Sequence, residues 1–84
     1  MTKYEIELSS GIYIATSPFA LFRLLKQFPT YRAWQSQDDE VSIEFETNEA
    51  IANVKIALHT VFGLNFVKSD YSDNNSTVLI GKCH

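Results

Sequence analysis

The chain has 84 residues, of which 45% are hydrophobic and 13% aromatic, and its formal net charge is -3. This length predicts a single compact domain over residues 1–84, and the apolar content predicts a real core, which excludes a disordered chain. The acidic balance argues against general affinity for phosphate backbones, because such affinity needs clustered Lys and Arg.

The single cysteine, Cys83, cannot form an intramolecular disulfide, although small secreted domains usually carry an even set of cysteines. The N-terminal residues lack a basic segment followed by an apolar one, so no signal peptide is predicted. No apolar run approaches the ~20 residues of a membrane span. These features predict a cytoplasmic protein without a membrane partner.

An alternation of apolar and acidic residues predicts the first β-strand over residues 3–8, with Glu5 and Glu7 on its solvent face. Gly11 then marks a turn, and the β-favouring run at residues 12–15 predicts a second strand. The short connection between the two strands implies an antiparallel hairpin.

Ser17 and Pro18 predict the start of the first helix, because a serine caps orphan N–H groups and proline suits the first helical position. Pro29 predicts its end near Phe28. Residues 30–34 suggest one further helical turn, followed by a polar loop. The predicted core stripe of this helix is Leu21, Leu25 and Phe28, widened by Phe22 and Leu24.

A second acidic alternation predicts a strand over residues 41–47, with Glu44 and Glu46 facing solvent. Thr47 or Asn48 then caps a second helix, which ends at Gly63. Its predicted core stripe is Ile51, Val54, Leu58 and Val61. Two final strands follow at about residues 65–71 and 77–82.

The predicted order is therefore β-β-α-β-α-β-β, which indicates an α+β domain with a mixed, mostly antiparallel sheet and two helices on one face. This order differs from the β-α-β-β-α-β of ferredoxin-like domains, and the sequence resembles no family. The open face of the sheet would carry the carboxylates of Glu5, Glu7, Glu44 and Glu46.

These four glutamates, extended by a run of three acidic loop residues, form the leading candidate site: Glu5, Glu7, Glu44, Glu46, Asp38, Asp39 and Glu40. A solvated sheet face is the ordinary explanation of such a pattern. The alternative is a docking surface for a basic partner. Like charges directly opposite each other on neighbouring strands cost about 0.2–1 kcal/mol each, which a sequence shaped by folding alone would more often avoid.

A second candidate surface joins aromatic and basic residues. Tyr31 and Trp34 flank Arg32, a combination favoured at protein interfaces, although large aromatics also commonly cover the end of a core. Arg23 and Lys26 lie three residues apart on the first helix. Together these cations suggest a small nucleic-acid-binding module, but without a glycine-rich loop or a longer basic run direct nucleic-acid binding is not expected.

The chain contains few residues of the types that usually act in catalysis. His59 and His84 are its only histidines, and Cys83 and His84 adjoin at the C-terminus, where neighbouring side chains point apart. A nucleophile needs a held base and an orienting third group. The sequence predicts no enzymatic activity, no cofactor and no metal site.

The leading prediction is a non-enzymatic module whose acidic sheet face docks onto a larger basic protein that handles nucleic acid, and inhibits it by occupying its groove, as a nucleic-acid mimic does. Small acidic chains of this kind resemble inhibitors carried by phages or plasmids, an analogy rather than a derivation. The alternative is a self-associating subunit, a homodimer for instance, that pairs through an exposed edge at the first or the last strand.

Overall fold

Five β-strands and three α-helices form the protein in the computed structural model, which describes residues 1–28, 31–73 and 75–82. In chain order they are β1 (Thr2–Ser9), α1 (Ser10–Ala15), α2 (Pro18–Gln27), β2 (Arg32–Gln37), β3 (Glu40–Thr47), α3 (Ile51–Phe62), β4 (Asn65–Lys68) and β5 (Ser76–Lys82). The predicted α+β class is confirmed, with one helix more than expected.

The five strands form one sheet in the order β2-β3-β1-β5-β4. β1 is antiparallel to β3 and parallel to β5, and the pairs β2–β3 and β4–β5 are antiparallel, so the predicted mixed and mostly antiparallel sheet is confirmed. The expectation that the first or last strand forms an exposed edge is wrong. β1 and β5 both have neighbours on either side, and the edges are β2 and β4.

The predicted second strand is a helix instead. Residues 12–15 belong to α1, whose last turn is closed by a 2.8 Å hydrogen bond from Thr16 Oγ1 to the Ile12 carbonyl oxygen. Both sides of β1 are taken by β3 and β5, which leaves no place for a hairpin partner. Ile12 and Tyr13 still reach the core, because a short helix over the sheet can also bury them.

One strand of the structure was not predicted, and it lies where the sequence predicted a helical turn and a polar loop. Arg32–Gln37 is β2, which forms a hairpin with β3, with Trp34 opposite Ser42. If α1 and α2 are counted as one connection, β1 to β4 follow the β-α-β-β-α-β order of ferredoxin-like domains, with β5 inserted between β1 and β4. The departure from that order is therefore smaller than the sequence predicted.

The core lies between one face of the sheet and the three helices. In β1 the buried residues alternate as predicted, and Phe45 of β3 stacks on Phe28 at a centroid distance of 4.3 Å. The buried cluster comprises Tyr4, Ile6, Leu8, Leu24, Phe28, Val41, Ile43, Phe45, Val54, Leu58, Phe62, Leu64, Phe66 and Leu79. Helices therefore cover the apolar face of β1 and β3, and the glutamates of those strands lie on the opposite face.

The predicted stripe of α2 is partly wrong. Leu24 and Phe28 are buried, but Phe22 and Leu25 are 58% and 42% exposed. Successive residues turn by about 100° around a helix. With Leu24 at the centre of the buried face, Leu25 lies on the flank of the helix and Phe22 nearly opposite the core.

Most of the predicted helix ends are confirmed. Ser17 Oγ accepts a 3.1 Å hydrogen bond from the N–H of Ala20, and Gly63 ends α3 with a φ of 71°. At the start of α3 the prediction is wrong, because Ala50 occupies the cap position and Thr47 Oγ1 instead accepts from the N–H of Glu49. Pro29 lies outside the described residues. None of the helices described is long and apolar enough to cross a membrane.

Candidate functional site

Five glutamates of β1 and β3 share the sheet face that the helices leave open, and we call this surface the acidic strand face. It consists of Glu5, Glu7, Glu40, Glu44 and Glu46. Side chains two residues apart on a strand share a face, and paired residues on neighbouring strands do too. The register places Glu5 directly opposite Glu44, so like charges meet at the centre of the sheet.

Glu7 is the most crowded member of this surface. Partial burial, followed by the charges of Glu40 and Glu5, raises the pKa of its carboxyl above the usual value. Glu5 lies two residues away on the same strand, and Glu40 lies diagonally across on β3. Repulsion among these carboxylates therefore opposes folding.

Cations also lie on the open face: Lys3 and Arg32 are close to Glu44, and Lys82 lies two residues after Ile80 on β5. Lys3 Nζ lies 3.3 Å from a carboxylate oxygen of Glu44, and Arg32 of β2 is the register partner of the same glutamate. The Lys3–Glu44 pair is partly exposed and contributes little to stability. Glu44 is thus partly compensated, whereas Glu5 and Glu7 form the more purely acidic part of the surface.

The acidic loop residues lie at the tip of the β2–β3 hairpin. Asp38 and Asp39 form the turn before Glu40, and both side chains are exposed. The backbone of the turn is tied down, because the Ser10 N–H donates to the Asp39 carbonyl and Gln35 Nε2 donates to the Asp38 carbonyl. The turn therefore continues the line of carboxylates from Glu7 and Glu40 to the edge of the molecule.

The residues flanking the glutamates on the open face are less polar. Ile80 is the partner of Glu7 on β5, and Val67 of edge strand β4 lies next in the same row at 42% exposure. On the other side, Ser42 separates Glu7 from Trp34. The open face therefore has an acidic centre between an apolar side and an aromatic side.

The second candidate surface is divided by the fold. Arg32 and Trp34 lie together on the open face, where the guanidinium carbon is 5.0 Å from the centroid of the indole ring. Tyr31 lies on the helix side, where its hydroxyl oxygen is 3.2 Å from that of Tyr13. Arg23 and Lys26 are exposed on α2. The proposed basic and aromatic residues therefore do not form one platform.

No family model, curated protein or solved structure matches this chain. The comparisons therefore assign no family, and functional inference depends on the geometry alone.

The described residues contain no group of three or more His, Cys, Asp or Glu side chains that could hold a metal ion. Nδ1 of His59 is 3.0 Å from the Leu64 carbonyl oxygen, so this nitrogen carries the proton and donates to the carbonyl. His59 thus helps to fix the chain after α3. Cys83 and His84 lie outside the described residues.

A cleft of about 380 Å³ lies between α2 and α3. Its floor includes Leu24 and Ala57, and Arg23 and Glu49 are among its polar residues. The carboxylate of Glu49 accepts a 3.1 Å hydrogen bond from Asn53 Nδ2. The sequence did not predict this cleft, because it depends on how α2 and α3 pack beside each other, which is a tertiary contact.

Proposed function

We propose that the chain is a non-enzymatic protein-binding module whose acidic strand face docks onto a basic surface of a larger protein that handles nucleic acid. The crowding around Glu7 carries the proposal. A basic partner would neutralise carboxylates whose mutual repulsion opposes folding, so this destabilising arrangement becomes favourable in the complex. The pattern fits a surface kept for binding better than one shaped by stability alone.

The composition of the open face supports the same proposal. Protein interfaces combine charged residues, which steer the approach of a partner, with apolar and aromatic residues, which provide most of the affinity. Here the carboxylates lie between Ile80 and Val67 on one side and the Arg32–Trp34 pair on the other. A partner seated on this face, if it used the same groove to bind nucleic acid, would be inhibited by competition.

A titration with a peptide rich in Lys and Arg, followed by amide chemical shifts, tests the surface directly. We expect shifts confined to β1, β3 and the Asp38–Asp39 turn, which decrease as salt is added because exposed charges are screened. Shifts of equal size around Glu49, at the cleft between α2 and α3, would show that the peptide follows total charge and would contradict the proposal.

Capture from a host lysate with matched baits tests the partner. In the double variant Glu5→Gln/Glu7→Gln we expect about tenfold less captured basic protein at low salt, because steering charges govern the association rate. The control variant Glu49→Gln removes a carboxylate at the cleft between α2 and α3, on the other side of the sheet, and should capture as much as the original chain. Equal capture by the three baits would contradict a role for the acidic strand face.

Folding and binding can be separated in this design. Removal of the repelling charges at positions 5 and 7 should increase stability, so we expect this variant to remain folded. Urea unfolding of each bait provides that control.

A further inference from the structure

Large apolar side chains are exposed on the outside of the helix layer. Phe19 and Phe22 of α2 are 72% and 58% exposed, Leu25 is 42% exposed, and Ile56 of α3 is 64% exposed. We call these four residues the outer helix face. A surface helix normally presents polar residues opposite its core stripe, so α2 departs from the usual pattern by being apolar on both sides.

The helices also carry the opposite charge to the strands. Within their bounds the three helices contain Arg23, Lys26 and Lys55 and no Asp or Glu. Lys26 lies four residues after Phe22 and seven after Phe19, which places the three side chains on one side of α2. The one carboxylate at the cleft between the helices, Glu49, lies before the start of α3 and is bonded to Asn53.

From this arrangement we infer that the outer helix face docks onto the surface of an anionic lipid bilayer. Helices that lie at a bilayer surface insert aromatic and aliphatic side chains below the headgroups, while Lys and Arg reach up to the anionic phosphates. Phe19, Phe22 and Leu25 provide the inserted groups. Lys26 and Arg23 provide the cations.

The acidic strand face does not oppose this docking. It lies on the far side of a molecule whose smallest extent is 23 Å, whereas exposed charges are screened over about 8 Å at physiological salt. The bilayer would therefore meet mainly the basic side of the protein. The absence of a membrane-spanning run excludes only a spanning helix and does not bear on a helix at the surface.

A second copy of the chain fits the outer helix face less well. In a symmetric contact through α2, Lys26 and Arg23 would face the helices of a copy, which contain no carboxylate to pair with them.

Flotation with vesicles tests the inference. The chain should bind vesicles of phosphatidylcholine mixed with phosphatidylserine, and hardly bind vesicles of phosphatidylcholine alone. The double variant Phe19→Ser/Phe22→Ser should lower the partition coefficient about tenfold or more, since most of the inserted apolar area is lost. Lys26→Gln should lower it about threefold to fivefold, an effect that disappears at high salt.

Two control variants match these changes. Tyr71→Ser removes an aromatic side chain that is 84% exposed outside the helices, and Lys82→Gln removes a cation of β5; neither should change binding. Circular dichroism shows whether each variant is folded. The inference is overturned if the folded chain fails to bind anionic vesicles at physiological salt, or if Phe19→Ser/Phe22→Ser binds them as well as the original chain.

Size-exclusion chromatography tests whether a second copy of the chain, rather than a bilayer, occupies the outer helix face. Concentration-dependent dimerisation that is abolished by Phe19→Ser/Phe22→Ser would assign the outer helix face to a second copy and overturn docking to lipid. Glu5→Gln/Glu7→Gln should leave vesicle binding unchanged, so failure of the inference and failure of the proposed function are distinguishable.

Discussion

Glu7 combines partial burial with two neighbouring carboxylates, and its protonation therefore depends on the fold. Its pKa is raised in the folded chain, whereas in the unfolded chain it titrates near 4.5. Asp73 shows the opposite effect. Its carboxylate accepts hydrogen bonds from the N–H groups of Asn75 and Ser76, and these bonds lower its pKa. Two carboxyls of one small domain thus give opposite contributions to the pH dependence of stability.

We predict that Glu7→Gln increases the free energy of unfolding at neutral pH by about 0.2–1 kcal/mol. Below pH 4.5 Glu7 is protonated in both states, so the substitution should have little effect there. As the pH rises, the unfolded chain loses this proton first, and the folded chain, which holds more protons, loses stability. The increase in the free energy of unfolding caused by Glu7→Gln should therefore appear as the pH rises above 4.5, the pKa of Glu7 in the unfolded chain. Urea unfolding measured across this range checks it.

Asp73→Asn is the control, because we expect it to change the free energy of unfolding in the opposite direction. Its lowered pKa means that the carboxylate stabilises the fold above the unfolded pKa of 3.8, and that this contribution is lost as the pH falls through the folded value. The substitution should destabilise the protein at neutral pH and have no effect at low pH. A gain in stability for Asp73→Asn, or a loss for Glu7→Gln, would contradict this account.

Gly81 and Gly11 provide a second matched pair. A Cβ at position 81 would lie 2.8 Å from Leu64 Cδ1 and 2.9 Å from Phe66 Cε2, both in buried side chains, whereas at position 11 the nearest atom is Ser9 Oγ at 3.6 Å. We expect Gly81→Ala to destabilise the fold by about 1–3 kcal/mol through overpacking. Gly11→Ala, within α1, should stabilise it by about 0.5–1 kcal/mol. Chemical denaturation measures both.

At the scale of elements, a single hydrogen bond joins α1 to the start of β2. The hydroxyl oxygens of Tyr13 and Tyr31 are 3.2 Å apart. Burial, and then the bond to Tyr13, raise the pKa of Tyr31. Because both residues also pack against the core, loss of either hydroxyl leaves the aromatic contacts in place.

We therefore predict that Tyr31→Phe lowers the free energy of unfolding by about 0.5–1.5 kcal/mol. In a double-mutant cycle with Tyr13→Phe, the second substitution should have much less effect than the first, which gives a coupling of at least about 0.5 kcal/mol. Thermal or urea unfolding of the four proteins measures it. Additive effects would show that this bond does not stabilise the junction.

The strands with strong alternation were predictable, and the weakly patterned elements were not. β1 and β3 follow the sequence prediction because their apolar faces are buried and their glutamates are not. β2 carries little apolar pattern, and its extended form depends on pairing with β3, a tertiary effect. Residues 12–15 have strand-forming side chains, but the strand before them, β1, is already paired with β3 and β5 on its two sides. Asp38 and Asp39 were the residues in the sequence that could have indicated the turn between β2 and β3, because Asp is favoured in turns.

The acidic strand face and the outer helix face also differ in how far the sequence predicts them. The acidic strand face could be predicted, because a period of two fixes which side chains share a face. The outer helix face could not, since the sequence of α2 is apolar on several sides and the buried one is selected by contact with Phe45 and the other core residues. The choice of Leu24 and Phe28 for the core left Phe19, Phe22 and Leu25 outside.

At the scale of the whole molecule, the two layers separate two chemistries. The strands and loops carry all ten acidic residues, whereas the charged Lys and Arg residues within the three helices are not accompanied by any Asp or Glu. If both proposals hold, a chain docked on a bilayer through its helices would present its carboxylates away from the lipid, towards a basic partner. The proposals nevertheless stand on separate residues, and the variants described above test each independently.

The central position of β1 also affects how the chain can fold during synthesis. Its parallel partner is β5, and the pairing joins Lys3 to Ser76, 73 positions later. At about 5–20 residues per second, a ribosome takes roughly 4–15 s to add that many residues. For that time one edge of β1 has no native partner, which exposes the nascent chain to wrong pairings. A circular permutant in which β5 precedes β1, joined by a linker long enough for the crossover that parallel strands require, would shorten this interval.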